Sequence, residues 1–174
     1  MDNAVIDALK ARRSIRKFKS EQIKEDELEA VLQAGMYAPT GRNRQAPIMI
    51  VVQDKETREK IRKMNAEIMG DPTTDPFYGA PTIIIVLAKK EVPTAIYDGS
   101  LVMGNLMNGA YSIGLGSCWI HRAREEFESD EGKALLKALG IEGEYIGIGH
   151  VALGYADMEL PTPSPRKSDY VYRI

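Results

Sequence analysis

Cysteine and histidine are scarce in this sequence, which holds one cysteine and two histidines among its 174 residues. Cys118 has no second cysteine for an intramolecular disulfide or a metal-binding pair, and His121 and His150 do not stand at a spacing typical of metal ligands. We therefore expect no metal site. Cys118 is expected to be a small buried apolar residue, and a reducing cytoplasm is the expected location.

Long apolar runs and an excess of positive charge are also absent. The longest wholly apolar run, 83–88, is far shorter than the ~20 residues that cross a bilayer. The formal net charge of -2 creates no positive field that would attract nucleic acid. The amino terminus lacks a basic region followed by an apolar segment, so no secretion signal is expected. These features predict one soluble domain over 1–174, without nucleic-acid or membrane partners.

Hydrophobic periodicity and turn residues predict helices that alternate with buried strands. The predicted helices cover 2–12, 20–39, 55–69, 97–116 and 125–140, and the predicted strands cover 48–52, 82–87, 116–120 and 145–155. Two helices precede any strand and the chain ends in an extended segment, 159–174, so a regular doubly wound sheet fits poorly. The predicted fold class is α+β, with a central mixed β-sheet flanked by helices.

Two of these segments carry more specific expectations. The predicted helix 97–116 should be largely buried through five apolar residues, which are Leu101, Val102, Leu106, Met107 and Ala110. The loop 70–81 contains proline, glycine and aspartate and should lie at the surface, where it could cover a site. Within it, Phe77 and Tyr78 are more readily explained as hydrophobic anchors than as residues that stack on a ligand.

A cationic cluster follows the first predicted helix, where Arg12, Arg13, Ser14 and Arg16 lie within a few residues. Guanidinium groups match phosphate oxygens in a two-pronged geometry, and a nearby hydroxyl adds a donor, so the cluster could bind an anion. Cations near a helix C-terminus are also favoured by the helix dipole and can simply be solvated. The residues alone leave both interpretations open.

The loop at 38–47, "APTGRNRQAP", places two amide side chains between prolines. Asn43 and Gln45 could each pair with the edge of a flat heterocycle, although Asn in such a turn commonly bonds its own backbone. Arg166 and Lys167 repeat the cationic theme in the proline-rich tail, where solvation would explain them equally well.

The motifs of several enzyme classes are missing. There is no G-x-S-x-G nucleophile elbow and no Walker phosphate loop, and the stretch "GLGSCW" has Trp119 where a dinucleotide-binding motif requires its third glycine. We therefore expect no Rossmann site. We also assign no catalytic side chain.

Four stretches taken together, "RRSIRKF", "APTGRNRQAP", "GLGSCWI" and "PRK", resemble the FMN-dependent nitroreductase family in content and in order. This resemblance implies a nitroreductase-like fold and an intertwined homodimer whose C-terminal tail extends onto the partner. FMN would lie at the dimer interface. The implied activity is transfer of hydride from NADH or NADPH through FMN to a nitroaromatic, a quinone or a similar electrophile, with ping-pong kinetics.

The resemblance also implies roles for particular residues. The FMN phosphate and ribityl chain would be bound by cationic and hydroxyl side chains, namely Arg12, Arg13, Ser14, Arg166 and Lys167. The flavin ring would be met by Arg16, Asn43, Gln45, Trp119 and Ile120. The alternatives are a flavin-binding carrier or sensor without turnover and a dimeric scaffold without flavin.

Overall fold

A computed structural model describes residues 3–174, in which four strands alternate with six helices. The strands are β1 (Pro47–Val52), β2 (Thr82–Lys89), β3 (Gly116–Ile120) and β4 (Tyr145–Gly154). The helices are α1 (Ala4–Ala11), α2 (Glu25–Met36), α3 (Lys55–Met69), α4 (Ala95–Ser112), α5 (Ala123–Glu128) and α6 (Asp130–Ala138). The predicted start of the first helix at Asp2 lies outside the described residues.

The strands form one sheet in the order β1-β2-β4-β3, and every ladder in it is antiparallel. After β1, helix α3 and the loop that follows return the chain to the end of the sheet that β1 left, so β2 runs in the opposite direction. The prediction of a mixed sheet is therefore wrong, because all three ladders are antiparallel; parallel pairing in the described chain is limited to an isolated bridge between Ser14 and Ser117. The α+β class and the central sheet with flanking helices are confirmed.

Strand β2 lies in the middle of the sheet and separates two apolar cores. Ile84 and Val86 face a core built with α2 and α4. Ile83, Ile85 and Leu87 face the core on the opposite side, together with α3, α5 and α6. A strand buried on both faces has no polar side, which explains the continuous apolar run in the sequence.

The predicted helix at 125–140 is wrong, because two helices meet there at Ser129. Its backbone is extended (φ -73°, ψ 162°), which ends α5. Its Oγ donates to the Glu126 carbonyl at 2.6 Å and accepts from the Gly132 N–H at 3.1 Å, so one hydroxyl serves both helix ends. A side chain at Gly132 would meet the Glu126 oxygen at 2.1 Å, so the close turn needs glycine.

Helix α4 is largely buried, as predicted, but Leu101 is an exception. Val102, Leu106, Met107 and Ala110 pack against the sheet and α2, whereas 46% of Leu101 is exposed. Leu101 lies on the side of the helix that faces away from the sheet, so its predicted burial is wrong.

The loop 70–81 is tied to α3 and carries one deep anchor. Arg58 donates from Nη2 to Asp75 Oδ2 at 2.6 Å. Phe77 is fully buried and meets the ring of His150 edge to face, with ring centroids 5.3 Å apart. Phe77 is therefore the hydrophobic anchor that the sequence suggested, and Tyr78 remains 37% exposed.

After β4 the chain runs back beside the segment that follows α1. The Lys19 N–H donates to the Tyr155 carbonyl at 2.9 Å, and the Asp157 N–H donates to the Lys17 carbonyl at the same distance. Residues 159–174 then continue without helix or strand and are exposed along their whole length. The tail that the sequence predicts to be extended thus forms neither helix nor strand, and a short turn interrupts it at 168–170.

Candidate functional site

The cationic cluster lies against the first half of β3. The Ile15 N–H donates to the Ser117 carbonyl at 3.0 Å, and Ser14 stands opposite Ser117 in the isolated bridge. Ile15 is buried, so it fixes the segment to the sheet through its side chain as well as its backbone. The residues on either side of Ile15 are therefore held at one edge of the sheet.

Three polar side-chain atoms in this cluster are buried and have no hydrogen-bond partner among the described residues: Arg12 Nη1, Arg13 Nε and Ser117 Oγ. Buried donors are normally paired, so three unmatched ones together call for an explanation. Burial lowers the pKa of Arg12, and the neighbouring Arg13 cation lowers it further. An anion with several oxygens would satisfy these donors and offset the desolvation of the guanidinium, which is a fit with a phosphate group.

Arg13 has a second task in the structure. Its Nη1 donates to the Lys10 carbonyl at 2.8 Å and to the Arg12 carbonyl at 2.6 Å. These carbonyls lie at the C-terminal end of α1, where backbone acceptors lack helical partners. The Nη1 nitrogen of this guanidinium therefore caps the helix, whereas its buried Nε has no hydrogen-bond partner among the described residues.

Cys118 on β3 lies next to the cluster but is part of the core, with 4% exposure. Burial raises the pKa of its thiol, although the nearby Arg16 charge and a hydrogen bond with Ser14 act in the opposite direction. The reactive thiolate is therefore disfavoured. The prediction of a small buried apolar residue is confirmed.

The two ring-contact candidates on β3 point to opposite faces of the sheet, as neighbouring strand residues do. Trp119 packs on the side of α2 and α4, and its ring centroid lies 5.9 Å from that of His121. Ile120 is 4% exposed in the core on the other side. A ligand on one face of the sheet can meet only one of these side chains, and Trp119 is the more accessible one.

The amide loop stands at the N-terminal end of α4. Its Gly41 N–H donates to Asp98 Oδ1 at 2.9 Å. Within the loop, the Gln45 N–H donates to Thr40 Oγ1 at 3.1 Å, and Gln45 Nε2 donates to Asn43 Oδ1 at 3.3 Å. Asn43 and Gln45 are exposed and joined to each other. The described bond of the Asn43 side chain is thus to its neighbour's amide and not to its own backbone.

The two cationic residues of the tail make local contacts. Lys167 Nζ lies 4.0 Å from Asp169 Oδ1 and 5.5 Å from the centre of the Tyr170 ring. Arg166 is exposed. The start of the tail, 160–163, lines a surface groove together with Arg13. Within the described residues of one chain, however, Arg166 and Lys167 form no hydrogen bond or ion pair with the cationic cluster.

Two residues of this region are absent from the sequence-based assignment. For Ser117 the sequence predicts only a strand, because its position opposite Ser14 depends on a contact between two distant segments. Asp98 is 3% exposed and stood within a predicted apolar helix. The sequence signal that marks it is an acidic residue in the first turn of a helix that is otherwise apolar.

Comparison with known proteins identifies the family. A model of the Nitroreductase family matches residues 9–155. The chain belongs to the nitroreductase family. The family predicted from the four stretches is therefore confirmed.

The described residues contain no group of three potential metal ligands, and none of their helices is long and apolar enough to cross a membrane.

Individual nitroreductase relatives match over different lengths. A protein of Archaeoglobus fulgidus, provisionally named an NADH dehydrogenase/NAD(P)H nitroreductase, is 32% identical over 149 residues, which are 83% of this chain and 80% of that protein. The FMN reductase (NAD(P)H) of Bacillus subtilis is 29% identical over 153 residues, covering 87% of this chain and 54% of the relative. A nitroreductase of Bacteroides fragilis with bound FMN superposes with a TM-score of 0.88 at 30% identity, covering 99% and 100% of the two chains.

Proposed function

We propose that this protein is an FMN-dependent NAD(P)H oxidoreductase of the nitroreductase type, with one FMN-binding domain over 1–174. FMN supplies the hydride chemistry when bound, accepting from NADH or NADPH and delivering to a nitroaromatic, a quinone or a similar electrophile in a ping-pong sequence. The observation that carries the proposal is the group of unmatched buried donors at Arg12 and Ser117. The FMN-bound Bacteroides relative and the Bacillus FMN reductase support the choice of cofactor.

The phosphate of FMN would be held by Arg12 and by the hydroxyls of Ser14 and Ser117, with Arg13 Nε as a further donor. Ser14 and Ser117 stand opposite each other, so their hydroxyls approach a ligand from two segments. A phosphate would return to Arg12 the favourable interactions that burial removes. Hydrogen bonds between a guanidinium and a phosphate are charge-assisted and stronger than neutral ones.

The flavin ring would be met by Asn43, Gln45, Arg16 and Trp119. Amides can donate to and accept from the polar edge of the ring. A cation at the pyrimidine edge stabilises the negative charge that two-electron reduction leaves there, so Arg16 would raise the reduction potential. No side chain of this chain is given the role of acid or base.

We further propose a homodimer. Exposed apolar residues concentrate on α1 and at the end of the tail, where Leu9 is 53% exposed and Tyr172 is 82% exposed. A groove of about 410 Å³ lies between α1, α2 and α4, with Val5, Leu9 and Tyr37 among its lining residues. Apolar patches of this kind are typical of interaction surfaces. A partner chain would cover them, and its tail would bring Arg166 and Lys167 toward the phosphate.

Anaerobic reduction tests the function directly. Purified protein, incubated with FMN and passed through a gel-filtration column, should retain the yellow flavin. NADH or NADPH should then bleach the flavin without oxygen, and a nitroaromatic or a quinone should restore the colour. Initial rates with both substrates varied should give the parallel double-reciprocal lines of a ping-pong mechanism. Intersecting lines would contradict the ping-pong sequence.

The alternatives separate in the same experiment. Yellow protein that neither nicotinamide nucleotide bleaches would be a flavin carrier or sensor. Protein that stays colourless after FMN addition would contradict both flavin functions and leave a dimeric scaffold. A cytoplasmic location stays a prediction, and comparing the rates of bleaching by NADH and by NADPH determines which nucleotide is preferred.

A further inference from the structure

The loop that carries the two amides has an unusual backbone. Three of its residues that are not glycine lie in the left-handed region, with φ of 56° at Arg42, 53° at Asn43 and 49° at Gln45. Residues with a Cβ atom disfavour this region, and clusters of such residues persist only where the surroundings hold them. The loop therefore needs a restraint from the rest of the protein.

Asp98 provides such a restraint from the first turn of α4. Its Oδ1 accepts the Gly41 N–H at 2.9 Å, and its Oδ2 accepts the Thr94 hydroxyl at 2.8 Å. The side chain is buried, with 3% exposure. The N-terminal end of a helix is a favourable place for a carboxylate, and both oxygens of this one are hydrogen-bonded.

Gly41 completes the contact from the side of the loop. A Cβ atom at Gly41 would lie 2.6 Å from Thr94 Oγ1 and 2.9 Å from Thr94 Cγ2. Both distances are below the normal approach of such atoms, so only glycine lets the loop come close enough for its N–H to reach Asp98. Packing and hydrogen bonding therefore act at the same point.

The restraint determines what the loop presents. Gln45 Nε2 donates to Asn43 Oδ1 at 3.3 Å, which uses one of the two lone pairs of that oxygen and turns the NH₂ group of Asn43 outward for a ligand. We propose that Asp98, acting through Gly41, is a positioning residue that holds Asn43 and Gln45 in the orientation that binds the flavin ring. This inference rests on the proposed FMN function.

The experiment compares three variants with the wild type: Asp98→Ala, Asp98→Asn and Ser100→Ala. Asp98→Ala removes both acceptors. Asp98→Asn can still accept from Gly41 and can donate to Thr94, so it keeps the geometry without the charge. Ser100→Ala is the matched control, because Ser100 lies on the same helix and donates to the Ile96 carbonyl at 2.7 Å, a contact within α4 and not with the loop.

Two readouts are measured on each protein. FMN affinity is titrated by quenching of flavin fluorescence, and amide hydrogen exchange is followed over residues 40–46 in the protein without FMN. We expect Asp98→Ala to weaken FMN binding by about tenfold, the effect of losing roughly one net hydrogen bond, and to speed exchange in the loop. Asp98→Asn and Ser100→Ala should bind FMN within about threefold of the wild type and leave loop exchange unchanged.

Each result supports or overturns the inference. Unchanged loop exchange in Asp98→Ala shows that Asp98 does not hold the loop. Faster exchange with unchanged FMN affinity shows that the loop is held but does not position flavin-binding groups. An equal loss of affinity in Ser100→Ala indicates general destabilisation of α4 and overturns the specific role of Asp98. Failure of the wild type to bind FMN contradicts the proposed function and the positioning role, and the exchange data still decide whether Asp98 restrains the loop.

Gly41→Ala keeps the inference testable if Asp98→Ala does not fold. Its new methyl group is expected to push the loop away from Thr94 and to reproduce both effects, faster loop exchange and FMN binding about tenfold weaker. Adding Thr94→Ala to this variant removes the two closest atoms and should restore part of the affinity. Normal FMN affinity in Gly41→Ala would overturn the positioning role.

Discussion

Arg12→Ala is the substitution that tests the phosphate site most directly. It removes the guanidinium whose buried Nη1 has no hydrogen-bond partner within residues 3–174, and it leaves the backbone and α1 intact. A hydrogen bond that involves a charged group contributes about 1.5 to 3 kcal/mol. The expected loss corresponds to a dissociation constant for FMN that is about 12-fold to 160-fold higher.

The same substitution should not weaken the protein without FMN. Burial lowers the pKa of Arg12, and the neighbouring Arg13 charge lowers it as well. Removing the Arg12 guanidinium therefore removes an unfavourable charge and no hydrogen bond to a described residue. Tm of the apoprotein should stay equal or rise. With FMN at 100 times the wild-type Kd, the wild type gains about 2.7 kcal/mol, and a variant that binds 100-fold more weakly gains only about 0.4 kcal/mol.

Riboflavin makes the test specific, because it carries the same ring without the phosphate. Arg12→Ala should weaken FMN binding and leave riboflavin binding within about twofold, since the phosphate contact is the only one removed. Arg124→Ala is the matched control: Arg124 is an exposed arginine that pairs with Glu128 at 3.0 Å on α5, and it should alter neither affinity. Unchanged FMN affinity in Arg12→Ala, or an equal loss for FMN and riboflavin, would refute the phosphate assignment.

Further predictions concern the ring, the tail and stability. Arg16→Gln should lower the two-electron potential of bound FMN by roughly 30 mV for each ~1.4 kcal/mol of lost charge stabilisation, measured by anaerobic dye titration; an unchanged potential would place Arg16 away from the ring. Arg166→Ala should weaken FMN retention, although the residue is exposed in one chain, and unchanged retention would exclude it from the partner's site. Deletion of 168–174 should shift light-scattering mass from dimer toward monomer; a full dimer would show that the tail end is not needed. Tyr155→Phe removes the hydroxyl that donates to Glu27 at 2.6 Å, which lowers the pKa of Glu27 and raises that of Tyr155 to about 12. The variant should lose the full stabilisation from about pH 5 to 9. The loss should become smaller as the pH falls through the folded pKa of Glu27 or rises through about 12. The urea midpoint, measured as a function of pH, tests this, and a loss of stability that does not depend on pH would contradict the coupling.

The sequence by itself determined the α+β class, the four strands and the family. The apolar run at 83–88 and the glycine-containing stretch at 116–120 predict strands through local composition, and the structure has β2 and β3 at these places. The family could be recognised because its motifs are local and keep their order along the chain. The burial of Cys118 as a small apolar residue is also predictable, since the sequence has no second cysteine with which it could form a disulfide or a metal-binding pair.

Only the tertiary structure decided how these pieces meet. The unmatched donors of Arg12 and Ser117 come from segments about a hundred residues apart, and no local pattern links them. The break at Ser129 depends on one hydroxyl that serves two helices, which helical periodicity does not reveal. The buried Asp98 accepts a hydrogen bond from the Gly41 N–H, 57 residues away in the sequence. A buried carboxylate needs hydrogen-bond donors, and only the packing of the chain determines which donors reach it.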